Sequence, residues 1–242
     1  MNSINIFKDV DTLNRATAKF IINAANKAVA ERGRFSISIS GGKTPIELYS
    51  LLAQTPFREQ LPWKNTNVFW CDERCVPITD TMNNAGQAKS VLLDKVDIPA
   101  ANIHTVQVNL PPADAAAKYE KEIKDFFGKE PPQFDLMLLG LGENGHTASL
   151  FPGTKVIDEH EEGVREVYAE EGNMFRVTMT AALINRAHII LFLVTGKNKA
   201  EIMEAVFSNS MPPRKYPAQL IKPVDGKLYW YVDSAAASLL NT

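Results

Sequence analysis

Two cysteines and four histidines in 242 residues leave little from which to build a metal centre or a disulfide scaffold. Cys71 and Cys75 lie four residues apart in FWCDERCVP with no histidine beside them, whereas a structural zinc needs four ligands. They read as small packing residues, and neither a metal nor a cofactor is expected. Long apolar runs are missing as well. The longest strongly apolar stretch, Ile189 to Val194, is far too short to span a bilayer. Near the start, Lys8, Asp9 and Asp11 interrupt any signal-peptide core, so a cytoplasmic location is expected. Nor does charge of one sign dominate: 26 Lys and Arg stand against 28 Asp and Glu, a formal net charge of -2. That balance excludes a general nucleic-acid or anionic-membrane binder, which needs a long-range basic field. It leaves room for a small anion, because two or three local cations suffice.

What is present suits one α/β domain covering residues 1–242. An apolar fraction of 45% with 22% charged residues is ordinary for a chain that buries a full core. Leu13, Ala16, Phe20, Ile21, Ala24 and Ala28 recur at helical spacing, and Gly33 supplies the stop. Strands are expected at 35–40 (FSISIS), 67–71 (NVFWC), 134–139 (FDLMLL), 188–194 (HIILFLV) and 228–232 (LYWYV). Helical patterns fall at about 44–54, 83–95, 113–127, 197–207 and 233–240. This alternation predicts an α/β fold: a Rossmann-like, mainly parallel sheet with helices on both faces, as a single domain. In such sheets ligands sit beyond the carboxyl ends of the strands, so the informative residues should follow the strands directly.

Three loops do. Ser40-Gly41-Gly42-Lys43-Thr44-Pro45 follows FSISIS, and Thr44-Pro45-Ile46-Glu47 has the form of a capping box opening a helix. A glycine turn running into a helix start aims free N–H groups at one point, which suits phosphate; a plain tight turn is the alternative. A nucleotide P-loop is excluded, because Ile37 stands where its first glycine belongs. The second loop, Trp70-Cys71-Asp72-Glu73-Arg74, places three charges where an apolar strand ends. Arg74 can grip phosphate in bidentate fashion and Asp72 can accept from sugar hydroxyls or orient a catalytic group, unless the three form a solvated, salt-bridged strand end.

The third loop is Gly140-Leu141-Gly142-Glu143-Asn144-Gly145-His146-Thr147-Ala148-Ser149. Its G-x-G-x-x-G spacing invites a dinucleotide reading, but Phe151-Pro152-Gly153 breaks the long helix that fingerprint must open. What remains is a glycine turn presenting His146, a residue that titrates near neutrality, at the ligand edge of the sheet. His104, His160 and His188 lack such a setting and read as structural or surface residues.

Taken together, SGGKTP, WCDERCVP and GLGENGHTASLFPG resemble the SGG-x-TP, W-x-DER-x-VP and G-x-G-x-DGHTASLFP segments of the 6-phosphogluconolactonase family. Weaker agreement continues in order through Arg176-Val177-Thr178-Met179-Thr180, Thr195 to Ala200, Tyr216-Pro217-Ala218 and Leu228-Tyr229-Trp230. The resemblance implies a fold shared with glucosamine-6-phosphate deaminases and ribose-5-phosphate isomerases. It implies metal-free hydrolysis of 6-phosphoglucono-δ-lactone to 6-phosphogluconate, in the oxidative pentose phosphate pathway. By motif, His146 would be the catalytic histidine and Asp72 would sit beside the reacting ring. Gly41, Gly42, Lys43, Thr44, Arg74, Arg176 and Lys199 would hold the sugar phosphate. In the implied reaction, N–H groups of the glycine turn stabilise the oxyanion. The partner is then a small phosphorylated sugar lactone, and the chain a monomer or weak homodimer. One departure stands out: Asn144 occupies the place of the family's usual Asp, so Asn144, Glu143 or Asp72 must orient the imidazole. The alternatives are a glucosamine-6-phosphate deaminase, whose pattern reads DEY where this chain has Asp72-Glu73-Arg74, and a sugar-phosphate-binding protein without catalysis.

Overall fold

The β-rich stretches form the centre of the molecule. The computed structural model describes residues 2–208 and 211–240. Its strands are β1 (Asn2–Phe7), β2 (Phe35–Ile39), β3 (Thr66–Trp70), β4 (Asp72–Arg74), β5 (Leu136–Gly140), β6 (Val164–Ala169), β7 (Met174–Met179), β8 (Ile189–Val194) and β9 (Lys227–Asp233). The α-helices are α1 (Val10–Arg32), α2 (Lys43–Leu52), α3 (Phe57–Gln60), α4 (Asn84–Val91), α5 (Pro112–Phe127), α6 (Ala181–Ile184) and α7 (Ala200–Ser208). Six strands make one sheet in the order β1-β9-β8-β5-β2-β3, with every neighbouring pair parallel. From β2 the chain builds outward to β3; from β5 it builds the opposite way, through β8 to β9. The switch point therefore lies between β2 and β5, where such sheets open a crevice.

Strand side chains alternate between two cores, as the pleat requires. Ile37, Leu136, Leu138, Leu191 and Leu193 pack with Leu13 and Ile21 of α1, Leu48 of α2 and Ala85 of α4. Met137, Leu139, Ile190, Phe192 and Trp230 face the other way, against Tyr119 and Ile123 of α5 and Met203 of α7. The serines of FSISIS are buried too, because each finds a partner. The Ser36 hydroxyl donates to Asp135 at 2.8 Å, Ser38 Oγ lies 3.1 Å from Cys71 Sγ, and the Ser40 hydroxyl donates to the Leu138 carbonyl at 2.5 Å. Helix α1 begins where the Asp9 carboxylate accepts from the Thr12 N–H at 2.8 Å. It ends at Gly33, whose φ of 74° no side chain adopts easily.

Three departures from the sequence reading matter. First, β4, β7 and β6 form a separate antiparallel sheet, packed through Val164, Val177 and Met179 onto the α5 side. Arg165, Glu166 and Arg176 break the apolar alternation of these strands and hide them in the sequence. Second, the helix expected at 233–240 is absent: Asp233 ends β9 and residues 234–239 form turns. Asp233 accepts from the Gly196 and Ala236 N–H groups, and the Ser234 N–H and hydroxyl donate to the Phe7 and Lys8 carbonyls; these bonds hold so short a segment out of helical register. Third, Thr44 is not a helix cap. Gly42 occupies that position in α2 with no side-chain cap, and the Thr44 hydroxyl instead meets that of Thr195 at 2.6 Å. Among the described residues, no helix is long and apolar enough to cross a membrane.

Candidate active site

The turn after β5 is shaped around one imidazole. A Cβ at Gly142 would fall 2.1 Å from both Cε1 and Nδ1 of His146, so only glycine leaves the ring its place. Gly145 takes a φ of 81°, and a Cβ there would press on the backbone and ring of Tyr216. The Gly142 N–H donates to the His146 carbonyl at 2.8 Å and the Gly145 N–H to the Gly142 carbonyl at 3.0 Å, which closes the turn on itself. Asn144 Oδ1 lies 3.1 Å from the His146 backbone nitrogen and 2.6 Å from its Nδ1. An amide oxygen only accepts, so the ring's proton sits on Nδ1 and the lone pair on Nε2. Among the three candidates for orienting the ring, Asn144 is the one that touches it. Glu143 turns away, accepting from the Asn198 side chain at 2.6 Å.

The facing wall comes from the small sheet. In strand β4 successive side chains alternate, so Asp72 and Arg74 line the cavity while Glu73 points the other way. Glu73 is buried among the N–H groups of Arg74, Asn84 and Ala85, at 2.7, 2.8 and 2.8 Å. Burial pushes its carboxyl up to about 7 against those donors. Asp72 accepts from the Ser149 hydroxyl at 2.6 Å. Arg176 of β7 pairs in register with Arg74, and its guanidinium carbon lies 4.9 Å from the centre of the Phe151 ring. Burial, helped by Arg74, lowers the Arg176 pKa, and Asp72 opposes that shift. The buried Nε atoms of both Arg74 and Arg176 find no partner among the described residues, which is costly for donors unless a ligand answers them.

The third side is the turn after β2. Gly41 is pressed against the Asn84 side chain, where a Cβ would lie 1.7 Å from Oδ1, and Gly42 adopts a φ of 108°. Helix α2 thus starts with uncapped N–H groups at Lys43 and Thr44. These three walls enclose a cavity of about 570 Å³ lined by Gly41, Gly42, Asp72, Arg74, Asn144, His146, Arg176 and Lys199, with Glu171 besides. A second cavity of about 480 Å³ shares Gly41, Gly42 and Lys199 and extends past Lys43, Thr44 and Thr195. Every candidate residue named from the sequence therefore borders one of two connected hollows at the switch point.

Burial is the largest influence on His146 and holds its pKa down to about 4; Glu171 and Asp72 pull it up, and Arg176 and Lys199 push it further down. The ring packs on Phe151 with centroids 4.4 Å apart. Sequence reasoning missed Glu171, Ser149, Asn84 and Phe151, of which only Ser149 and Phe151 stood inside a motif. Of the N–H groups in the glycine turn, those of Gly142, Gly145 and His146 are consumed within the turn and do not serve an oxyanion. Cys71 and Cys75 behave as packing residues: burial pushes their thiols up to about 12 and about 11. His104 is structural, stacked on Phe69 at 4.1 Å and bonded to Glu122 at 2.8 Å. Among the described residues no three His, Cys, Asp or Glu side chains are grouped to hold a metal ion.

Residues 8–230 match the family model described as glucosamine-6-phosphate isomerases/6-phosphogluconolactonase. The chain belongs to that family. Within the glucosamine-6-phosphate isomerase/6-phosphogluconolactonase family it is 37% identical over 243 residues to a 6-phosphogluconolactonase of Nostoc sp., covering 99% of this chain and 98% of the relative. It is 42% identical over 219 residues to a 6-phosphogluconolactonase of Synechocystis sp., covering 89% of this chain and 88% of the relative. The crystal structure of a Thermotoga maritima 6-phosphogluconolactonase superposes with a TM-score of 0.83 at 28% identity, over 96% of this chain and all of that one. A monomeric glucosamine-6-phosphate deaminase shares the fold, with a TM-score of 0.82 at 19% identity over 98% and 99% of the two chains.

Proposed function

We propose that this protein hydrolyses 6-phosphoglucono-δ-lactone to 6-phosphogluconate, with His146 as general base. The observation that carries the reading is the convergence of a neutral imidazole with Arg74, Arg176 and Lys199 on one cavity. The phosphate sits where α2 begins, met by Lys43, Thr44 and Lys199 across Gly41 and Gly42. That places the lactone ring beside His146 and Asp72. Nε2 takes a proton from water as the water oxygen attacks the lactone carbonyl; the Nδ1 proton stays on the ring, donated to Asn144 Oδ1. With the N–H groups of Gly142, Gly145 and His146 occupied, the buried Nε donors of Arg74 and Arg176 answer the negative charge that develops on the carbonyl oxygen. The imidazolium then returns its proton to the departing ring oxygen. General base action of this kind contributes about 10²–10⁴-fold, a modest demand that suits a reactive ester.

The test is hydrolysis of freshly generated lactone, measured above its spontaneous rate, by wild type and His146→Ala. We expect the variant to lose at least about 100-fold in kcat with KM little changed. Turnover within twofold of wild type would reject His146. Ammonia release from glucosamine 6-phosphate, without lactone hydrolysis, would assign the deaminase activity instead. Binding of 6-phosphogluconate with no acceleration at all would leave a sugar-phosphate binder.

A further inference from the structure

The imidazolium that forms when His146 accepts a proton needs a negative charge nearby, and Asn144 carries none. Six groups surround the ring. Asn144 is neutral and Phe151 is apolar. Arg176 of β7 and Lys199, which precedes α7, both disfavour a second positive charge. Asp72 of β4 is negative, but its carboxylate already accepts from Ser149 at 2.6 Å. The group left is a carboxylate on the turn between β6 and β7, with Glu171 Oε2 at 3.9 Å from His146 Nδ1. Glu143, on the histidine's own turn, is committed to Asn198.

The hairpin tip is built to hold that carboxylate over the ring. Gly172 and Asn173 take φ values of 86° and 49°, and the Asn173 N–H donates to the Glu170 carbonyl at 3.1 Å, which closes the tip. The Arg176 guanidinium donates to the Glu171 carbonyl at 3.3 Å, tying the tip to the cavity wall. Glu171 lines the same cavity as His146. We infer that Glu171 is a positioning residue for the reaction, supplying from across the cavity the negative charge that Asn144 does not provide. This rests on the lactonase reading above. Glu171 acts through His146 and forms no bond to substrate. It steadies the imidazolium as the water proton arrives, and both its charge and its placement matter. Among the charges that affect His146, Glu171 is the largest upward influence, ahead of Asp72.

The experiment compares wild type, Glu171→Gln, Asn144→Asp and the double variant. Two readouts are used: the His146 imidazole titration followed by NMR in the free protein, and kcat and KM for 6-phosphoglucono-δ-lactone. In Glu171→Gln the imidazole pKa should fall and kcat should drop about fivefold, with KM within twofold of wild type. The kcat loss should shrink at high salt, because 61% of the Glu171 side chain is exposed to solvent. Adding Asn144→Asp to Glu171→Gln should return both the titration and kcat to wild type or beyond, which a merely structural defect at the hairpin would not allow. An imidazole titration unmoved in Glu171→Gln overturns the inference whatever the activity. So does a double variant that titrates at a raised pKa yet stays as slow as Glu171→Gln. A wild type that fails to accelerate lactone hydrolysis overturns the reading beneath it, and the titration, which needs no substrate, separates that failure from the first.

Discussion

An imidazole held down to about 4 is neutral across the physiological range, so His146 is always ready to accept a proton. The sign of its pH dependence follows. The active form is the deprotonated one, and activity is lost as pH falls through about 4, not through the 6.5 of an ordinary histidine. The acid limb of kcat/KM, which reports the free enzyme, should therefore lie near pH 4, with a flat profile from there toward neutrality. A limb at 6 or above would contradict the burial of the ring. Gly142→Ala tests the same side chain sterically. The added methyl would fall 2.1 Å from two ring atoms, so the ring must move, and a displacement of about 1 Å costs on the order of 100-fold in kcat. Circular dichroism should show the fold intact. At this scale the sequence was informative about His146, since glycines flanking one titratable side chain after a buried strand leave few other readings. It was silent on Glu171, because a charge at a hairpin tip stands in no fixed spacing to the ring it faces. Several acids between Asp158 and Glu171 were equally eligible.

Two side chains hold the start of helix α4: the Asn83 amide oxygen, which accepts from the Gly86 N–H at 2.8 Å, and one buried carboxylate from β4. Glu73 receives the N–H groups of Asn84 and Ala85 at the helix start, and Asn84 in turn donates to the Asp72 carbonyl at 2.9 Å and packs against Gly41. Glu73→Gln keeps the shape but turns one acceptor into a donor facing other donors. Stability should fall by about 1–3 kcal/mol in urea denaturation, even though the buried charge is removed. An unchanged midpoint would show that the helix start needs no acceptor there. The elements themselves were unevenly legible. Strands β2, β3, β5, β8 and β9 are short apolar runs ended by turn residues, and α1, α2 and α5 carry clear periodicity, so these stood out. The small sheet did not: Arg165 on β6 is charged because it pairs with Glu120 and Glu159, Glu166 is exposed to solvent, and Arg176 on β7 faces the cavity, so the apolar pattern is broken. The expected C-terminal helix over 233–240 failed for a different reason, since hydrogen bonds from Ser234 and to Asp233 outweigh the propensity of three alanines.

Over the whole molecule a formal charge of -2 conceals a local grouping of cations, with Lys43, Arg74, Arg176 and Lys199 around two joined cavities that Glu47, Asp72, Glu143 and Glu171 also line. Attraction for a phosphorylated substrate is therefore local and screened by salt. KM should rise severalfold, roughly three- to tenfold, between 50 mM and 0.5 M salt, with kcat moving less than about twofold. A KM indifferent to salt would remove Lys43 and Lys199 from phosphate recognition. Steady-state kinetics across a salt series decides it. The gathering of three loops at one edge was foreseeable from the alternation of strands and helices, because parallel sheets put all their strand ends on the same side. That two sheets, not one, supply the walls was not. The sheets meet at Cys71, whose N–H donates to the Ile39 carbonyl at 3.0 Å and whose carbonyl accepts from the Met179 N–H at 2.8 Å. One residue thus serves as the seam between the sheet whose loop carries the imidazole and the sheet that carries the guanidinium groups. Bulk added at residue 71 would pry these walls apart and alter the aperture between them, so a residue with no chemistry of its own governs how closely base and cations can embrace a guest.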